Sequence, residues 1–162
     1  MTISSRADHL QKGHGVSFAD YDSDGDLDLF CDVGGAAPGD ASHNILLQNP
    51  HHWPAWLRVK LVGTKSNRAA LGAKIDATVT RPHGETRSIY RTVGGNSSFG
   101  GNSLAEHLGL GDDGIVTKLE ITWPSTSAKQ TLQNLSIDRE IIITESADGF
   151  QVRSFLKVIT PA

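Results

Sequence analysis

Apolar and polar residues alternate along much of this chain with a period of two. From Trp56 onward, "WLRVKLVG", "AKIDATVTRP", "TRSIYRTVGG", "IVTKLEITWP", "KQTLQNL", "REIIITES" and "FQVRSFLKVI" read as strands half-buried against a core, with glycine and proline in the gaps. Their shared parity predicts that Leu57, Val59, Leu61, Ile75, Val79, Leu119, Ile121, Trp123, Ile141 and Ile143 face inward. Upstream, "GVSFADY" and "LDLFCDV" flank a short polar loop and predict a β-hairpin, and "ILLQN" predicts a third short strand. In "SLAEHLGLG", Leu104 and Leu108 suit a helical turn, whereas Leu108 and Leu110 suit a strand, which is the reading preferred. The turn-rich, aromatic "PHHWPAW" marks a junction. The pattern predicts an all-β protein: an antiparallel sandwich or barrel-like domain over 50–147, preceded by a hairpin unit over 1–49 and followed by a strand extension over 148–162.

With 162 residues, 38% of them hydrophobic, the chain is long enough to bury a real core. The formal charge of −3 is concentrated in one place. Setting aside five aspartates between Asp20 and Asp28, the rest carries 13 acidic against 15 basic residues. No basic stripe suits nucleic acid, and no apolar run reaches the roughly 18 residues that span a bilayer. The opening "MTISSRADHLQKGHG" lacks the apolar centre of a signal peptide. Cys31 is the single cysteine and cannot form an internal disulfide; within "LDLFCDVGG" it reads as a small buried residue.

The acidic stretch is "DYDSDGDLDLF". Carboxylates at Asp20, Asp22, Asp24, Asp26 and Asp28 repel one another unless a cation closes the loop. A hard ion such as Ca²⁺ takes six to eight oxygens at about 2.3–2.6 Å, and alternate side chains around a tight bend can supply them. Asp20, Asp22 and Asp24 are expected to bind through their side chains and Asp26 through its main-chain carbonyl; Asp28 closes the site, and Gly25 permits the bend. An EF-hand is excluded, because its twelfth position would be Cys31 rather than glutamate and both flanks read as strands. Ca²⁺ suits this crowded oxygen cage better than Mg²⁺.

The remaining candidates point elsewhere. His43, His51 and His52 could ligate a transition metal, but a turn-rich junction favours solvated or packed imidazoles. Arg68 in "KSNRAALGA" is expected to hold its loop through main-chain carbonyls rather than to bind an anion. The glycine- and serine-rich "VGGNSSFGGNSL" offers Phe99 as a platform for a sugar or peptide, and it lacks a phosphate-loop ending. Sequons occur at Asn96 and Asn134. No hydrolase elbow and no Ser/His/Asp set is assembled by spacing, so the chain is read as non-enzymatic.

"GHGVSFADYDSDGDLDLFCDVGG" resembles a calcium-binding repeat of the FG-GAP/VCBS kind, a blade of integrin-like propellers. "WLRVKLVGTKSNRAALGAKI", "VGGNSSFGGNSL", "HLGLG", "LEITWPS" and "REIIITE" resemble the ASPIC/UnbV domain of the cartilage acidic protein 1-like family, of bacterial type since no EGF-like module is seen. The resemblance implies a C-terminal piece of a secreted or cell-envelope protein. It also implies a Ca²⁺-dependent adhesion or ligand-binding module with a protein or glycan as partner. An accessory carbohydrate-binding domain of a larger extracellular enzyme is the alternative. A lone blade has no neighbour for its apolar faces, so it is expected to pack on the following domain through Trp53 and Trp56, or to form a homodimer through an exposed strand edge.

Overall fold

The computed structural model describes residues 13–35, 38–39, 41–50, 55–81, 83–94, 101–111 and 115–153. Their strands form three sheets. In the first, β1 (Gly13–Ala19), β2 (Asp28–Val33) and β3 (Ile45–Leu47) run antiparallel in that order. The other two make the sandwich. One holds β4 (Trp56–Val62), β7 (Glu106–Gly109), β10 (Arg139–Thr144) and β11 (Gln151–Arg153) in the order β11-β10-β4-β7. The other holds β5 (Lys74–Thr80), β6 (Thr86–Thr92), β8 (Ile115–Thr122) and β9 (Lys129–Leu135) in the order β6-β5-β8-β9.

The architecture is the expected all-β sandwich, with no closed barrel among the described residues. One pairing departs from the antiparallel expectation: β10 lies parallel to β4, with Arg139 beside Leu57 and Thr144 beside Val62. Between these strands the chain crosses to the other sheet for β5 and β6, returns for β7, and crosses again for β8 and β9. A crossover of that length is what a parallel pair requires, because a hairpin turn cannot join one. The last expected strand, "FQVRSFLKVI", is seen as β11 over Gln151–Arg153; residues 154–162 lie outside those described. "SLAEHLGLG" contains β7, with Leu108 and Leu110 buried and Leu104 exposed.

All ten residues expected inside are buried. Leu57, Val59 and Leu61 of β4 face the same core as Ile141 and Ile143 of β10, and Ile75, Ala77 and Val79 line the opposite sheet. Burial of each such aliphatic side chain contributes roughly 1.5–3 kcal/mol. Along β8 the inward phase jumps from Val116 to Leu119, because the ladder with β5 shifts register between Thr78 and Val79. The extra residue, Thr117, uses its hydroxyl to donate to the Thr78 carbonyl (3.1 Å), so the bulge restores the apolar phase with its polar group satisfied. At the open edge of the sandwich, Arg87 of β6 donates from Nη2 to the Leu110 carbonyl beyond β7 (2.8 Å).

Two buried glutamates fasten the second sheet. Glu145, just past β10, continues the inward parity of Ile141 and Ile143 and is buried. Its Oε2 accepts the N–H groups of Thr64, Lys65 and Ser66 at 2.9, 2.7 and 2.7 Å, and its Oε1 accepts the Ser66 hydroxyl at 2.9 Å. The β4–β5 connection is thereby wound around a carboxylate. Burial pushes the Glu145 carboxyl up, but these donors outweigh it and bring it down to about 2. Glu140 lies across from Arg58 on one side and Arg153 on the other, with both guanidinium groups at 3.3 Å. Since Arg58 is in turn opposite His107, a row Arg153–Glu140–Arg58–His107 crosses the outer face of this sheet.

Candidate metal centre

The acidic loop joins β1 to β2. The last rung of that hairpin pairs Ala19 with Asp28, which brings Asp28 beside Asp20 although eight positions separate them. The loop between is wound by its own aspartates. Asp20 accepts the N–H of Asp24 on Oδ1 (3.0 Å) and that of Gly25 on Oδ2 (3.2 Å), and Asp24 accepts the N–H of Asp26 (3.0 Å). The Asp24–Asp26 bond is an Asx-turn, in which a side-chain oxygen replaces the backbone acceptor of a tight turn, whereas Asp20 reaches N–H groups four and five residues on and so ties the loop across its width. Ser23 and Gly25 take left-handed φ values of 60° and 102°, the second of which suits glycine best.

The winding gathers three carboxylates. Asp20, Asp22 and Asp28 each place one oxygen within 4.8 Å of the others'. Asp22 and Asp28 are only 6% and 3% exposed, and Asp20 is half-buried. Outside the loop, Gln48 donates to Asp22 Oδ2 (2.6 Å) and the Asn49 N–H donates to Asp28 Oδ1 (2.8 Å), so the segment after β3 fixes two of the three. Burial pushes the Asp20 carboxyl above its ordinary range against the N–H groups of Gly25 and Asp24, with Asp24 and Asp22 adding to the rise. Asp24 and Asp26 stand outside the group of three; Asp26 is buried, and Asp24 turns its Oδ1 to the Asp26 N–H.

These distances suit an ion. Oxygens 2.3–2.6 Å from a central Ca²⁺ are separated by at most about 5 Å, which the gathered oxygens satisfy. Three ionised carboxylates at that separation repel on the order of 3 kcal/mol per pair at an effective dielectric constant of about 20. A divalent cation converts the repulsion into attraction. Among the described residues, no other group of acidic, histidine or cysteine side chains has metal-binding spacing.

The loop also docks on the sandwich. Gly25 lies so close to Trp56, the first residue of β4, that an added Cβ would meet the indole at Nε1 and, at 2.5 Å, at Cδ1. Trp56 stacks on His107 with ring centroids 5.8 Å apart and planes 12° from parallel. Strand β1 is tied to the segment before β7: the Phe18 N–H donates to Asn102 Oδ1 (2.9 Å) and the Ser17 hydroxyl to the Gly101 carbonyl (3.1 Å).

Of the other candidates, His43 is exposed, while His51, His52, Trp53, Asn96 and Phe99 lie outside the described residues. Cys31 is buried, as a packed thiol would be. Asn134 is exposed on β9, and the Arg68 side chain is exposed. The loop around Arg68 is held instead by Asn67, which accepts the Leu71 N–H and donates to the Leu71 carbonyl. Arg68 contributes its own carbonyl, which accepts the Gly63 N–H (3.2 Å).

The sequence reading passed over Glu145, Glu140 and His107. Glu145 could have been found from its parity with Ile141 and Ile143. His107 carries no such signal, since its setting is made by strands far apart in sequence.

Compared with known families, the chain matches the one described as ASPIC and UnbV over residues 63–149, from the end of β4 to beyond β10. No curated protein matches it.

Proposed function

The chain belongs to the ASPIC and UnbV family, and from that premise we propose that it is a non-enzymatic, Ca²⁺-binding β module of a secreted or cell-surface protein, serving adhesion or ligand binding. Residues 13–49 act in it as an FG-GAP/VCBS-type calcium repeat docked on the family domain. The observation that carries this reading is the convergence of Asp20, Asp22 and Asp28, two of them buried, with oxygens spaced as ligands of one cation. Asp26 supplies its carbonyl, and water completes the shell. Three protein carboxylates suit a weak site, in the range of roughly 10⁻⁴–10⁻³ M typical of extracellular calcium modules, and the placing of the parent protein outside the cytosol follows from the family resemblance. Isothermal titration of the chelator-treated chain with CaCl₂ tests it. One site per chain in about that range, abolished in Asp22→Ala, is expected; no heat above dilution at millimolar calcium overturns it.

A further inference from the structure

A cleft of about 180 Å³ opens where the hairpin meets the sandwich, with Asp20 of the acidic loop on one wall and His107 of β7 on the other. Two guanidinium groups enter it from different sheets, Arg58 from β4 and Arg91 from β6. Arg58 is aimed by Glu140 behind it (Nε–Oε2 3.3 Å) and by Ser103, to whose hydroxyl it donates (3.1 Å). Arg91 is an exposed residue that donates to the Tyr90 carbonyl (2.9 Å). Burial, then Arg58, then Arg91 depress the His107 imidazole to about 4, so it is neutral at pH 7. Burial raises the Glu106 carboxyl against the pull of Arg91. The facing charges are thus two guanidinium groups against Asp20 and Glu106, with Glu140 paired to Arg58 behind it. An ion bound by Asp20, Asp22 and Asp28 lowers the negative charge on the Asp20 wall and so favours an anion between Arg58 and Arg91.

We propose that this cleft binds a hexuronate residue of an acidic polysaccharide, with the sugar carboxylate held by Arg58 and Arg91. The volume admits one pyranose ring rather than a drug-sized ligand. A ring hydroxyl donates to Glu106, which an acidic peptide side chain, having only acceptors at its tip, would instead repel. Asn102 and Ser103 meet further hydroxyls, and the half-exposed Phe18 offers an apolar wall to the C–H face of the ring. The inference rests on the calcium reading of the adjacent loop: the cation and the uronate raise each other's affinity, because the linkage is reciprocal.

The test is an amide-resolved NMR titration of the full chain with methyl glucuronide, with and without CaCl₂. Methyl glucoside and N-acetylglutamate amide serve as the neutral-sugar and peptide-like controls. The expected result is glucuronide-induced shifts at 102–107 with an affinity weakened about ten-fold in Arg91→Gln, less so in Arg91→Lys, and several-fold on calcium removal. Arg91 is exposed, so the variants are expected to fold, which their spectra verify directly. Equal binding of the glucoside, preference for the glutamate amide, or an unchanged Arg91→Gln affinity overturns the proposal, as does glucuronide binding indifferent to calcium. If calcium shifts the loop amides while glucuronide shifts none, this inference fails and the calcium site stands. If calcium itself shifts nothing, the calcium reading has failed.

Discussion

Replacing Gly25 by alanine probes the joint between the acidic loop and the sandwich. Two separable costs follow from the structure. The backbone φ of 102° is one that an L-residue adopts at a cost of about 1–3 kcal/mol. The new methyl also meets Trp56, at 2.5 Å from Cδ1 and 3.1 Å from Cε2, and the indole cannot swing away without losing its stack on His107. Overpacking of that kind costs roughly 1–3 kcal/mol more. Gly84→Ala supplies the control, because Gly84 has a φ of 89° but nothing within 4 Å of an added Cβ. Gly25→Ala is therefore expected to destabilise docking of the hairpin by about 2–6 kcal/mol, and Gly84→Ala to show the backbone cost alone. Hydrogen exchange of the β1 and β2 amides reads the effect, with Trp56 fluorescence as a second probe. A double-mutant cycle with Trp56→Leu should recover the steric part as positive coupling. If Gly25→Ala costs no more than Gly84→Ala and β1 exchange is unchanged, the close packing of loop on sandwich is refuted.

Calcium at ten times its dissociation constant is expected to stabilise the fold by about 1.4 kcal/mol, a rise in Tm of about 3–5 °C by differential scanning fluorimetry. Asp22→Ala should abolish this rise, and Asp24→Ala, whose carboxylate turns to the Asp26 N–H, should reduce it less. The Glu145 carboxyl is lower in the folded chain, at about 2, than its ordinary 4.5. Its contribution to stability is thus full above about pH 4.5 and lost as the pH falls toward 2; Glu145→Gln, which sets an amide against clustered N–H donors, should lower the urea midpoint at pH 7 and flatten its fall over that range.

The fold was legible where side-chain parity decides the outcome. Leu57, Val59, Leu61 and the inward residues of β5, β8 and β10 announce themselves, because one face of each strand must be apolar. Strand direction leaves no such mark: the alternation in "REIIITES" is the same whether β10 runs along β4 or against it, so the parallel pair was not foreseen. The acidic loop was legible as a metal candidate from like charge at alternate positions. Its five aspartates look equivalent in sequence, and only the hairpin rung between Ala19 and Asp28 selects Asp20, Asp22 and Asp28 as the converging set. The joint on Trp56 was half legible, as an aromatic junction needing an apolar partner. Its actual partner is the one residue in the loop without a side chain, which an expectation of apolar packing does not suggest. Arg58, Arg91 and His107 meet only through strand order, and nothing local in the sequence links them.

Asp20, Asp22 and Asp28 are proposed to surround one calcium ion. Anomalous difference density from crystals grown in CaCl₂ decides whether they do. One peak is expected in the acidic loop, about 2.3–2.6 Å from an oxygen of each of these three carboxylates and from the Asp26 carbonyl. The proposal is contradicted by the absence of a peak at millimolar calcium with the three carboxylates splayed apart, or by a peak held by Asp24 and surface waters alone.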